Sequence, residues 1–199
     1  MSNTKSYSSK KVIFDLGDLI YSPLSSFKKV FIIQKGHVVA FTLDSNGKKK
    51  IHLIYGPGDY FPVITSFEDK QQRASYEAIS RTMLEVYSRE DFKEKIDNDQ
   101  NFCKTILLKT VSQLSLFADN ILDLTKTGLQ NKLLVRIKLL IKQHGVEKDN
   151  TLFLPFPLTH QQLADMLGVE RESISRIINP LKTKHAIQID NKGVISLPK

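Results

Sequence analysis

Two hydrophobic rhythms divide this chain. Through about residue 98 the apolar residues come in short β-branched and aromatic runs broken by turn formers. The clearest runs are Val30 to Gln34, Val38 to Leu43, Ile51 to Tyr55 and Leu84 to Tyr87, which predicts an antiparallel β unit. Asp44-Ser45-Asn46-Gly47 supplies a hairpin turn, because Asn and Gly tolerate positive φ. Gly56-Pro57-Gly58-Asp59-Tyr60-Phe61 reads as a second, stiffer turn. From about Asp99 to Leu124 the turn residues vanish and the spacing becomes helical. Leu107, Val111, Leu114, Ala118 and Ile121 recur at four- and three-residue steps, the heptad spacing of a paired helix. Ile106, Phe117 and Leu124 form a second track suited to packing on the helix's own β unit, and a helix buried within a monomer is the competing reading. A hinge is expected at Thr125-Lys126-Thr127-Gly128. Leu129 to His144 is a further helix with Leu133, Leu134, Ile137, Leu140 and Ile141 on its core face, ending at Gly145. Leu152-Phe153-Leu154 reads as a short strand.

The most informative stretch is Leu158 to Leu181, two amphipathic segments joined by a tight turn. Thr159 followed by Gln162 fits a capping box. Leu163, Ala164 and Leu167 share one face, Gly168 can adopt the left-handed conformation that ends a helix, and Val169 plugs the corner. The second segment buries Ile174, Ile177, Ile178 and Leu181, which leaves Arg171, Glu172, Ser175 and Arg176 projecting together from its N-terminal end. Arginine suits bidentate contact with guanine, and a carboxylate accepts from the cytosine amino group. A surface helical hairpin with solvated charges is the bland alternative. Two details break the pattern: Glu170 stands where serine or threonine would cap the second helix better, and Pro180 removes one backbone bond within it.

LTHQQLADMLGVERESISRII resembles the winged helix-turn-helix of the Crp/Fnr transcription regulators. The runs flanking Asp190-Asn191-Lys192-Gly193 would form the wing. Gly36 and the Gly-Asp-Tyr-Phe element are similar to the cyclic-nucleotide-binding domain of the same family over roughly residues 10–98. The resemblance implies an α+β chain in three parts: an N-terminal antiparallel β-barrel of jelly-roll type (1–98), a dimerisation helix (99–125) and a winged helix-turn-helix (126–199). It also implies a homodimer on a palindromic duplex with GTGA- or TTGA-like half-sites, Arg171 favouring the former. Arg171, Glu172, Ser175 and Arg176 are the implied base contacts, Thr159 and Gln161 the phosphate contacts, and RNA polymerase a partner. Nucleotide-binding relatives carry a Gly-Glu pair and an Arg-Ser pair in the barrel; the matching positions here are Pro62-Val63 and Arg73-Ala74. Arg73 could clamp an anion, but Val63 cannot accept from a ribose and Ala74 lacks the hydroxyl, so no response to cyclic AMP is expected. The effector pocket would be Arg73, Val63 and Ala74, with any small-molecule effector unidentified.

Charge and composition agree with this reading. Of the net +8 carried by 199 residues, +6 lies from Lys126 onward, where 12 Lys and Arg face 6 Asp and Glu. A basic domain attracts the phosphate backbone whatever its sequence. Cys103 is the single cysteine, which excludes an intramolecular disulfide and a cysteine-ligated iron–sulfur cluster; a buried inert thiol or a redox switch remain as readings. His37, His52, His144, His160 and His185 show no ligand spacing and most are read as structural or exposed, so no metal site or cofactor is expected, a haem held by His37 or His52 being the alternative reading. No nucleophile–base pair or paired-carboxylate motif points to an enzyme. No run is long enough to span a bilayer, and a cytoplasmic location is expected. The rival from another class is a ligand-binding regulatory subunit that never touches DNA.

Overall fold

The computed structural model describes residues 8–25, 28–68, 70, 73–124 and 128–198. Two four-stranded antiparallel sheets build the N-terminal part. One has the order β1 (Ser9–Phe14), β8 (Thr82–Ser88), β3 (Lys29–Lys35), β6 (Tyr60–Phe61); the other runs β2 (Leu19–Tyr21), β7 (Ser75–Ala78), β4 (Val38–Leu43), β5 (Lys49–Tyr55). The four expected strands are β3, β4, β5 and β8, with bounds within two residues.

An aromatic stack fills the space between the sheets. Phe61 of β6 lies between Phe31 of β3 (5.2 Å, 14°) and Tyr76 of β7 (4.5 Å, 17°), and Tyr55 and Tyr21 close the group from β5 and β2. All five are buried. A second core lies on the other face of the first sheet, where Val30, Ile32, Tyr60 and Tyr87 meet Phe92 and Ile106, with Val63, Ile96 and Phe102 packed around them. Strand β3 is therefore covered on both faces, which is why Val30-Phe31-Ile32-Ile33 is continuously apolar rather than alternating.

Three helices supply that second core: α1 (Val63–Phe67), α2 (Arg89–Asn98) and α3 (Gln100–Leu124). Ser88 caps α2 by accepting from Asp91 N, and the Asp99 carboxylate accepts from Phe102 N at the start of α3. The Gly-Asp-Tyr-Phe element is the clamp between sheet and helix. Tyr60 and Thr110 hydroxyls meet at 2.7 Å, and Lys109 reaches the Asp59 carboxylate at 3.3 Å. Ile106 packs inward as expected, but Phe117 is 42% exposed and Gln113 is buried in its stead, so the inward face of α3 runs Ile106, Thr110, Gln113. A heptad template applied to apolar residues alone passes over a glutamine. The Leu124 side chain lies outside the described residues.

The expected pairing track faces away from these contacts. Leu107 (59%), Val111 (56%), Leu114 (67%) and Ile121 (65%) stand exposed on α3, with Ala118 exposed beside them.

The chain divides into two compact units, residues 1–42 with 52–115 and residues 43–51 with 116–199, so the cut falls inside α3 rather than at its ends. Of the expected hinge, residues 125–127 lie outside the described residues; Gly128 precedes α4 (Leu129–His144) with a φ of +78°. Helix α4 buries Leu133, Ile137, Leu140 and Ile141, with Leu134 half-buried. A small sheet follows in the order β11 (Gln188–Ile189), β12 (Ile195–Leu197), β10 (Thr151–Phe153), β9 (Val146–Lys148). Its wing turn is held by Asp190, whose carboxylate accepts from Lys192 N and Val194 N. No helix among the described residues is long and apolar enough to cross a membrane.

Candidate nucleic-acid interface

Helices α5 (His160–Leu167) and α6 (Arg171–Thr183) carry the candidate interface. The capping box is complete: Thr159 Oγ1 accepts from Gln162 N at 3.1 Å, and Gln162 Oε1 accepts from Thr159 N at 2.9 Å. Gly168 ends α5 at φ 66° and ψ 35°, a conformation that a residue with a Cβ adopts only with strain. Val169 follows, half-buried, and its N–H donates to Ala164 O. The short turn then delivers α6 with Ile174, Ile178 and Leu181 buried and Ile177 half-buried.

Burying that stripe decides what remains outside. Arg171, Glu172 and Arg176 are exposed over the first two turns of α6, and Ser175 is half-buried beside them. Arg176 Nε lies 3.4 Å from Glu172 O, a weak contact that leaves the guanidinium on the surface. The expected phosphate contacts are both engaged within the protein. Thr159 serves the capping box, and the Gln161 amide donates to the Asp165 carboxylate at 2.7 Å. Asp165 is buried, and the sequence reading passed over it; its signal was the i, i+4 pairing with Gln161.

Glu170 occupies the N-cap of α6 and makes no side-chain capping bond. Its carboxylate instead accepts from Lys48 Nζ of the 43–51 segment, within the same compact unit. That hydrogen bond is the main reason the Lys48 ammonium titrates above its ordinary range. Pro180 does not end α6, which continues to Thr183. His160 is a functional candidate that the sequence reading missed: its Nδ1 lies 2.9 Å from Ser175 Oγ, although fifteen residues separate them.

The expected effector residues sit on different elements. Val63 opens α1 and packs against the Tyr60–Phe92 core, while Arg73, exposed, and Ala74, half-buried, lead into β7. Cys103 is a half-buried free thiol in the first turn of α3. Among the described residues no group of three or more His, Cys, Asp or Glu is placed to hold a metal ion.

This architecture and this helix pair have known counterparts. Residues 132–199 match the family model for a Crp-like helix-turn-helix domain, and residues 11–99 match that for a cyclic nucleotide-binding domain. The chain belongs to the Crp/Fnr family of transcription regulators. Curated relatives include the CRP-like cAMP-activated global transcriptional regulator of Mycobacterium tuberculosis, 20% identical over 92% of this chain and 82% of that protein. The anaerobic regulatory protein of Bacillus subtilis is 24% identical over 86% of this chain and 73% of its own length. Among solved structures, FixK2 from Bradyrhizobium japonicum superposes with a TM-score of 0.79 at 20% identity, covering 96% of this chain and 93% of that one. Like them, this Crp/Fnr-type regulator carries a helix-turn-helix DNA-binding domain behind a β-sheet domain of the cyclic-nucleotide-binding fold.

Proposed function

We propose that this regulator acts as a homodimer that places one α6 in each of two successive major grooves, about one helical turn apart on a near-palindromic operator. The division of labour follows the chain: residues 1–98 as sensor, 99–125 as dimerisation helix, 126–199 as DNA-binding domain. Arg171, Glu172 and Arg176 read base edges in GTGA- or TTGA-like half-sites, joined by Ser175. Thr159 and Gln161 set register against phosphates, by exchanging their present partners or through backbone N–H groups at the start of α5. The carrying observation is that α6 buries its apolar stripe and leaves Arg171, Glu172 and Arg176 exposed at its N-terminal end. The exposed track on α3 supports the second copy.

Cyclic AMP is not the effector in this reading. Val63 replaces a ribose-holding carboxylate, and five aromatic rings already occupy the space between the sheets. The protein works in the cytoplasm, where it meets DNA and RNA polymerase. Selection of operators from random duplex DNA by the purified full-length protein, with and without small-molecule extract, tests the whole reading. On the selected duplex, Glu172→Ala should cost about 1–3 kcal/mol while affinity for random DNA changes far less. An equal loss on both would refute the base-reading role, and no affinity for any duplex would favour the DNA-free regulatory subunit.

A further inference from the structure

A lysine-rich turn lies beside the start of α6. The tract Asp44-Ser45-Asn46-Gly47-Lys48 runs into Lys49 and Lys50 at the head of β5, so three ammonium groups stand against one carboxylate within residues 44–50. Asp44 makes this tip a fixed structure. One oxygen of its carboxylate accepts from Asn46 N and Lys48 N, both at 2.9 Å, and the Asp44 N–H donates to Lys48 O at 3.0 Å. Lys48 then reaches the Glu170 carboxylate at the N-cap of α6. Lys50 Nζ lies 3.8 Å from the point where a Cβ on Gly168 would sit, and 3.8 Å from Asp44 Oδ2. All these residues belong to one compact unit, 43–51 with 116–199. The tip therefore borders the α5–α6 turn that leads directly into Arg171 and Glu172.

From this placement we infer that the 44–50 tip is a second DNA-contacting element: Lys48 and Lys50 bind the sugar–phosphate backbone at the rim of the groove that α6 enters. The inference rests on the reading above that α6 enters a major groove. That groove is about 12 Å wide and is bounded by phosphates on both edges. An ammonium that reaches the residue before Arg171 stands at such an edge once Arg171 touches a base. The pairing with Glu170 does not forbid the contact. The Glu170 side chain is 74% exposed, and ion pairs in water contribute little, so a phosphate takes the place of the carboxylate at small cost. Because Asp44 already fixes the backbone from which the lysine stems start, less freedom is lost when they engage DNA. Phosphates carry no base identity, so the tip adds affinity and leaves sequence choice to α6.

The test uses the full-length protein, a duplex selected from a randomised pool, and fluorescence anisotropy across a salt series. Lys48→Gln should weaken binding about five- to fiftyfold at about 0.1 M salt, on the selected duplex and on random DNA alike, and keep the ranking of single-base variants. The slope of log affinity against log salt should become shallower by about 1.8, for one lost contact in each of two half-sites. Duplexes in which a methylphosphonate replaces one phosphate at a time locate the contact. At one phosphate per half-site the neutral linkage should weaken the wild type and leave Lys48→Gln unchanged within about twofold. Lys50→Gln should show the same pattern at that phosphate or the next. Each comparison is made within one folded variant, so a change in stability does not mimic it. Equal sensitivity of the wild type and the Gln variants at every linkage would overturn the inference, as would tighter binding by Lys48→Gln, which marks the tip as a restraint on α6. Lys48→Gln should also weaken binding in a Glu170→Gln background; no effect there would mean that Lys48 only screens Glu170, and the contact is refuted. A wild type that selects no duplex sinks the groove reading and this inference together, whereas a selected duplex without linkage-specific differences sinks the inference alone.

Discussion

Leu114→Glu on α3 probes the proposed dimer on which two-groove recognition would depend. The four large apolar side chains of the exposed track are between 56% and 67% accessible. Fully burying a Leu, Ile or Val side chain is worth about 1.5–3 kcal/mol, so covering their exposed fractions yields about 4–7 kcal/mol per protomer and about 8–14 kcal/mol for two. Association itself costs on the order of 4–15 kcal/mol, so the track decides whether the dimer persists at all. Leu114→Glu removes one of these contributions from each protomer, about 2–4 kcal/mol together, and sets two carboxylates beside the seam. Dimerisation should weaken by about two orders of magnitude or more. Because Leu114 is exposed, the fold of each protomer should change by no more than about 0.5 kcal/mol. Sedimentation velocity across a concentration series reads the association, and a circular-dichroism melt under conditions where both proteins are monomeric reads the fold. A wild type that stays monomeric throughout, or a Leu114→Glu protein with unchanged dimer affinity, would refute the assignment of this face.

Phe61→Ala takes the middle ring from the stack between Phe31 and Tyr76 and should cost about 3–5 kcal/mol in urea unfolding; a loss below 1 kcal/mol would mean that the stack collapses into the gap. Pro180→Ala restores a donor for Arg176 O within a continuous helix and should stabilise by about 1–3 kcal/mol. Since Arg171, Glu172 and Ser175 lie upstream of the restored bond, operator preference should stay the same in a selection experiment; a shift would show that Pro180 re-aims the helix. Glu170→Ser supplies the missing cap, worth about 1 kcal/mol, and removes a carboxylate next to the recognition face. Its melting temperature and its affinity for random DNA should both rise, and a lower melting temperature would mean that the Lys48 contact outweighs the cap.

The elements that were legible in the sequence are those whose signals are local. The Thr159–Gln162 box, the Gly168 corner and the Asp190–Gly193 turn each complete their bonding within a few residues, and each is found where expected. The exposed track on α3 was visible because an unsatisfied apolar face keeps its heptad spacing. Elements fixed by distant partners were not visible. Strand β1 (SKKVIF) is almost wholly exposed and shows no alternation; it exists because it pairs with β8 some seventy residues away. Strand β6 is two residues long and borrows its register from β3. Helix α2 did carry a signal, the Ser88 cap followed by Phe92 and Ile96 four residues apart, hidden in an otherwise charged decapeptide. The site divides in the same way. Arg171, Glu172 and Arg176 follow from the burial of one helix face, whereas the His160–Ser175 contact exists only once two helices meet at the Gly168 turn.

The short strand β6 joins the two cores. Its two residues point to opposite faces of the sheet, as neighbours in a strand must. Phe61 enters the aromatic stack between the sheets, and Tyr60 enters the helical core, where its hydroxyl holds Thr110 of α3. Asp59, one residue earlier, holds Lys109 of the same helix. Anything that displaced Phe61 to make room between the sheets would therefore pull on two bonds to α3, the helix that carries the exposed pairing track. The same packing ties α3 to the sheet through Thr110 and Lys109 while Leu107, Val111 and Leu114 of that helix stay exposed.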